Sequence, residues 1–412
     1  MAAPHRKMAA MTESSQMDRE VEFKIDELFF SRTDDRGIIQ SGNSIFQRVS
    51  EYSWEEMINA PHKIVRHPEM PRTVFWILWD RLKRGKPVGA YVKNRSKSGG
   101  HYWVYAMVTP IEDGYLSVRM KPTSAYLPIV KKIYTQILAD EARPDFEFEE
   151  GVSLLQNALA DHGLRDYNHF MATTVVAETK ARDEELNLNH RQNFDSLSQL
   201  VTASSRMLGR SADVKNDFNR IRGFPINLRI QSGKFSSVAK LFGVISDDYN
   251  RFCQGIESHL TEFTNRSVKV ADQLAEAVFL VCTSRYQEEV AKIFEREADH
   301  DDEDGNATEI DLLRRQAEEF SQTTAEAILR CEEGARSFNQ ISSDVGWLLG
   351  GLDLVRILGT AETSRIGDRG QTLQKMMSEA ERFQEQIKTH LDDLRSLNKT
   401  VLDETAVIRS AA

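Results

Sequence analysis

From Ile310 to Val355, apolar or small residues return alternately every three and four positions. The run reads Ile310, Leu313, Ala317, Phe320, Thr324, Ala327, Cys331, Gly334, Phe338, Ile341, Val345, Leu348, Leu352 and Val355. Such a 3,4 repeat holds one stripe on one face of a helix and predicts a left-handed coiled coil or a long bundle. The 46 residues would span roughly 70 Å at about 1.5 Å per residue. A second run follows at Leu373, Met376, Ala380, Phe383, Ile387, Leu394, Leu397 and Val401. Shorter seams lie at Phe194-Leu197-Val201 and at Phe242-Ile245-Tyr249-Phe252-Ile256.

Upstream of about residue 125 the pattern is different. Short alternating stretches sit between turn signals and short helical ones. Strands are predicted at 27–32, 37–40, 90–95, 102–109 and 115–121. Asp34-Asp35-Arg36-Gly37, Ser96 to Gly100 and Glu112-Asp113-Gly114 supply the turns. Asn43 predicts an N-cap for a helix at Ser44–Ser50, and Ser53 with Glu56 reads as a capping box. A third helix is predicted from Pro71 to about Arg84. Two strands, several short helices and three strands describe a small α+β domain with helices on one face of a five-stranded antiparallel sheet. A long all-α coiled-coil or bundle region follows it.

Composition narrows the class. The chain has 412 residues, 40% of them hydrophobic and 28% charged, which suits a chain able to bury a core. A net charge of −10 argues against general nucleic-acid binding. No apolar stretch reaches the length of a membrane span. Cys253, Cys282 and Cys331 are too dispersed for a disulfide framework, so a reducing cytoplasm is expected. No phosphate loop, metal-ligand pair or hydrolase elbow occurs, so the chain does not read as an enzyme.

The N-terminal motifs carry a resemblance. R-H-P-x-M-P at 66–71, V-K-N-R at 92–95, H-Y-W-V at 101–104 and S-V-R at 117–119 occur in one order over about residues 28 to 123. Together they resemble the PAS domain of bacterial aerotaxis receptors. That resemblance implies non-covalent FAD in the PAS cleft and sensing of redox state or oxygen. It implies cofactor contacts from Arg66, His67, Glu69, Asn94 and Trp103. Glu69 stands where relatives usually carry aspartate, and Val88 where many carry tryptophan. The residues suit the role. An amide such as Asn94 both donates and accepts, matching the edge of an isoalloxazine. Trp103 offers an aromatic wall, while Trp76 and Trp79 read as core residues on a helix face. The segment has no cysteine, so no light-driven cysteinyl–flavin adduct is available. Haem is the rival cofactor, with His67 or His101 as axial ligand. A ligand-free adaptor is the alternative of another class.

The helical region carries a second resemblance. Ile226 to Ile245 and Ile357 to Leu373 are similar to the hairpin tip of chemoreceptor signalling domains, with Gln231 and Glu362 at the corresponding position, 131 residues apart. This implies a duplicated hairpin, able to supply four helices from one chain or to pair in a homo-oligomer. The tips then imply a chemotaxis-type kinase or coupling protein as partner, met by Asn227, Gln231 and Lys234 in one tip and by Glu362 and Arg365 in the other. The expected organisation is a flexible tail at 1–22, a PAS sensor at 23–123, a helical connector at 124–160, one hairpin at 161–295, an acidic linker at 296–308 and a second hairpin at 309–408.

Overall fold

The computed structural model describes residues 19–188, 194–235, 238–297 and 303–411. Most of the expected tail and the centre of the expected acidic linker lie outside the described residues. The chain divides into two compact units. One comprises residues 1–194 with 275–326, the other residues 195–274 with 327–412.

The first unit is built on an antiparallel sheet of β1 (Phe29–Thr33), β2 (Ile39–Gly42), β3 (Val88–Arg95), β4 (His101–Ile111) and β5 (Gly114–Met120). Its strand order is β2-β1-β5-β4-β3. Between β2 and β3 lie α1 (Ser44–Ser50), α2 (Trp54–Met57), a 3-10 turn at His62–Val65, and α3 (Arg72–Lys83). This is the expected α+β arrangement, and its local signals act as read. Asn43 Oδ1 accepts from Phe46 N at 3.2 Å and from Phe30 N at 3.0 Å, so one amide caps α1 and ties it to β1. Ser53 N donates to Glu56 at 3.0 Å. Gly114 sits at φ +142°, and a Cβ there would stand 2.0 Å from Thr33 O, so the β4–β5 turn needs glycine.

Helix α3 has no side-chain cap of its own at Pro71. Glu141 supplies it instead, accepting from Arg72 N at 2.8 Å and Thr73 N at 2.7 Å. Glu141 ends α4 (Tyr126–Glu141), which is followed by α5 (Phe148–Asp161) and α6 (Tyr167–Glu185).

One face of the sheet carries Ser31, Thr33, Val92, Asn94, Ala106, Val108, Ser117 and Arg119, and turns toward the short helices. The other face packs on helices of the same unit. Tyr105 Oη lies 3.0 Å from Thr174 Oγ1 on α6. Phe30 meets Phe294 edge-on at 5.0 Å. Arg32 pairs with Glu309 at 2.8 Å, and Gln316 accepts from Thr109 at 2.6 Å. Phe294 belongs to α9 (Ala239–Glu297), and Glu309 and Gln316 to α10 (Glu303–Ile366).

Among its described residues the second unit consists of helices joined by short turns. It holds most of α7 (Phe194–Ile221), all of α8 (Phe224–Ser232), the first part of α9, the second part of α10, and α11 (Gln371–Ala411). A 3-10 turn at Gly367–Gly370 separates α10 from α11. Phe218, Phe242, Tyr249, Ile256, Phe338, Val345, Leu352, Ile387 and Leu394 share one buried cluster. The two 3,4 runs supply most of its α10 and α11 members, and Ala335, Leu349, Met377 and Leu391, outside the runs, supply the rest. No helix among the described residues is long and apolar enough to cross a membrane.

Candidate functional site

Strand alternation decides what enters the space between sheet and helices. A cleft enclosing about 810 Å³, open mouth included, lies there. Phe75, Leu78, Trp79 and Leu82 of α3 line it together with Val92, Ala106 and Val108 of the sheet. Asn94, Ser31, Thr33, Ser117, Arg119, His62 and Arg66 supply polar lining. A mostly apolar wall with a few convergent polar groups is the usual form of a small-molecule site.

Arg66 and Asn94 both line this cavity, and their backbones meet in an antiparallel bridge. Arg66 stacks over the Phe75 ring at 4.0 Å and donates to Met70 O at 3.3 Å. Burial holds its guanidinium below the usual arginine range.

The other expected contacts lie outside the cavity lining. His67 is buried beside it, with Nδ1 accepting from Glu69 N at 3.1 Å and Nε2 without a protein partner. Burial, and then the Lys93 charge, push its pKa down to about 4, so the ring is neutral at pH 7. Glu69 is exposed and pairs with Lys93 at 2.6 Å. Trp103 corrects the cleft-wall expectation. It sits opposite Lys93 in the β3–β4 register, so alternation turns it to the far face, 6.3 Å from the Tyr134 ring. Trp79 corrects the opposite expectation. It lines the cavity and meets Tyr115 edge-on at 5.4 Å.

The sequence reading missed the polar pole formed by His62, Ser31, Ser117 and Arg119. Its signal was present as Ser31 and Thr33 on β1, and Ser117 and Arg119 on β5, at inward alternate positions among apolar neighbours. Arg119 Nη2 donates to Ser31 Oγ at 2.8 Å and lies 2.7 Å from His62 Nε2. A guanidinium only donates, so Nε2 is the acceptor and the neutral ring carries its proton on Nδ1. Burial, and next the Arg119 charge, push the His62 pKa down to about 3. Burial lowers that of Arg119 to about 10, which leaves it a cation at neutral pH. Arg119 Nη1 and Ser117 Oγ have no protein partner. A flat heterocycle with one apolar and one hydrogen-bonding edge fits this lining, and an isoalloxazine is such a ring.

In the second unit, Asn227 and Gln231 line a groove with Phe224, Met376 and Phe383. Lys234 donates to Gln231 at 2.8 Å, and Arg365 pairs with Glu362 at 2.8 Å.

Residues 41–118 match the PAS fold family. Over 119 residues the chain is 38% identical to the aerotaxis receptor of Escherichia coli (strain K12), covering 28% of this chain and 24% of that protein. Over 81 residues it is 28% identical to the nitrogen fixation regulatory protein of Klebsiella pneumoniae, covering 20% of this chain and 16% of that one. The chain thus spans under a quarter of the length of these curated relatives. Among solved structures, the light-state Aureochrome1 LOV domain aligns at 18% identity and a TM-score of 0.23, covering 30% of this chain and 96% of that one. The N-terminal domain thus matches the PAS fold family and is similar in sequence to part of an aerotaxis receptor, and long helices follow it.

Proposed function

We propose that this chain is a signal-transduction sensor whose PAS cavity holds FAD and reports redox state or oxygen to the helical region. The observation that carries the reading is the cavity itself: an apolar slot closed by α3, with Asn94 and Arg66 on one side and the Arg119 cluster on another. Identity of 38% to an aerotaxis receptor across this domain supports the same reading. Bound flavin would supply reversible electron uptake. This chain's residues hold the ring, meet its polar edge and keep bulk water from it.

The route outward starts on β3. Asn94 lines the cavity, while Tyr91 on the opposite face donates to Glu178 of α6 at 2.5 Å. Glu178 also accepts from Thr123 N and Ser124 N, just ahead of α4. A re-paired Asn94 therefore shifts a strand whose other face is bonded to two helices. The helical region is the output. Asn227, Gln231 and Lys234, with Glu362 and Arg365, are the residues proposed to meet a chemotaxis-type kinase or coupling protein.

The test is an absorption spectrum of the purified full chain, before and after dithionite. Oxidised-flavin bands that bleach on reduction are the expected result, and Asn94→Ala should then lose about tenfold in flavin affinity, one charge-free hydrogen-bonding edge being removed. A Soret band would replace flavin by haem. A colourless protein with a folded PAS domain would refute the cofactor and leave a ligand-free adaptor.

A further inference from the structure

The other fully buried arginine of the first unit, Arg182, has a carboxylate partner in Glu289 at 2.8 Å, and the part-buried Arg285 pairs with Asp183 at 2.6 Å. Arg119 is different. It is only 5% exposed, lines the ligand cavity, and among the described residues has no carboxylate at ion-pair distance. Its partners are neutral: Ser31 Oγ, the His62 imidazole, and the Phe46 ring face at 5.2 Å. Nη1 is left without a protein partner, as is Ser117 Oγ on the same strand and the same face. An uncompensated buried cation is costly, and a structure retains one where a counter-charge arrives from elsewhere. Arg119 and Ser117 are both among the residues that line the cavity on its sheet side.

We infer that Arg119 is the counter-charge for the electron-rich edge of the cavity ligand, a ring that gains a negative charge on one-electron reduction. This rests on the flavin reading. A one-electron donor delivers its electron to the neutral oxidised ring. No bond breaks and no proton follows, because the added charge sits opposite a fixed cation instead of being neutralised from water. Ser117 Oγ–H adds a second donor to the same edge. Arg119 thereby sets the redox threshold at which the sensor switches: it favours the reduced ligand over the oxidised one. A charge-assisted hydrogen bond of this kind shifts such a preference by about tenfold or more.

The test is an anaerobic redox titration of the flavin bound to the full chain, with dithionite as electron donor and indicator dyes. Arg119→Gln should lower the one-electron potential by about 59 mV, the equivalent of tenfold. Arg119→Lys, which keeps the charge, should stay near the wild-type value. An unchanged potential in Arg119→Gln, with flavin bound, overturns the inference and leaves the flavin reading intact. So does Arg119→Lys matching Arg119→Gln, since shape and not charge would then be at work. If Arg119→Gln fails to fold or to hold flavin, the wild type decides. A one-electron potential that is flat from pH 6 to 8 supports the uncompensated anion; a fall of about 59 mV per pH unit overturns it, because a proton then accompanies the electron. A wild-type protein without flavin defeats the cofactor reading and this inference together, a result distinct from each of the others.

Discussion

Glu178 shows what single residues contribute to this domain. Its carboxylate is fully buried and accepts from Tyr91 Oη at 2.5 Å, Thr123 N at 2.7 Å, Ser124 N at 2.9 Å and Ser124 Oγ at 2.6 Å. All four donate to it; the two backbone N–H groups can do nothing else, whereas the two hydroxyls could also accept. Burial, and after it the Glu178 charge, hold the Tyr91 phenol protonated far above its ordinary range. Glu178→Gln removes the charge and replaces one of the two acceptor oxygens by an N–H₂. We expect a loss of about 2 kcal/mol in stability, as when a buried charged acceptor loses its partner. Urea unfolding followed by circular dichroism reads it, and an unchanged midpoint would mean that the Tyr91–Ser124 contacts contribute nothing. At this scale the sequence was informative where the partner is near in the chain. Asn43 and Ser53 were legible because their partners lie three residues on. Glu178 was not, because its nearest partner in the chain lies 54 positions away.

Among elements, α10 states the packing rule most sharply. The 3,4 run puts Val345, Leu352 and Val355 in the bundle core. Adjacent glycines then have opposite roles. A Cβ on Gly351 would stand 2.4 Å from the Phe252 ring, whereas one on Gly350 meets nothing within 4 Å. Gly350→Ala should stabilise the second unit by about 0.5–1 kcal/mol through helix propensity. Gly351→Ala should fall below Gly350→Ala by about 1–3 kcal/mol through overpacking. Thermal melts of the two variants give the sign, and equal shifts would show that the α9–α10 approach is loose. Periodicity revealed which face of α10 is buried. It held no information on which glycine faces a neighbouring ring. For β4, alternation predicted that one set of residues lines the cleft, but not that Trp103 belongs to the other set. The phase of a strand depends on what covers its two faces, and here both are covered.

For the whole molecule, the division into compact units is the finding that departs most from expectation. Boundaries were expected near residues 160 and 308, yet residues up to 194 and from 275 to 326 fold with the PAS sheet. Phe294, Glu309 and Gln316 supply the reason, since each fills or bonds the outer sheet face. The cysteines test both units at once. Cys282 lies in the first, Cys253 and Cys331 in the second, and burial pushes each thiol up to about 12. Native protein should react with no thiol-specific reagent on the minute scale, and with all three thiols in denaturant. Rapid native labelling of Cys253 or Cys331 would show that the bundle opens readily; rapid labelling of Cys282 would show the same for the helix packed behind the sheet.

By itself the sequence determined the local part of this protein. Strand and helix alternation, caps, turn glycines and the long 3,4 seams are written in residues a few positions apart, and short-range sterics and hydrogen bonding read them directly. It also marked Arg66 and Asn94, which do line the cavity. The tertiary structure alone decided the rest: which face of β4 meets the cavity, that Ser31, His62, Ser117 and Arg119 converge on one polar pole, and that distant helix ends seal the far side of the sheet. Those outcomes depend on contacts between residues tens to hundreds of positions apart. Burial and unpaired charge, which no single segment encodes, select among them.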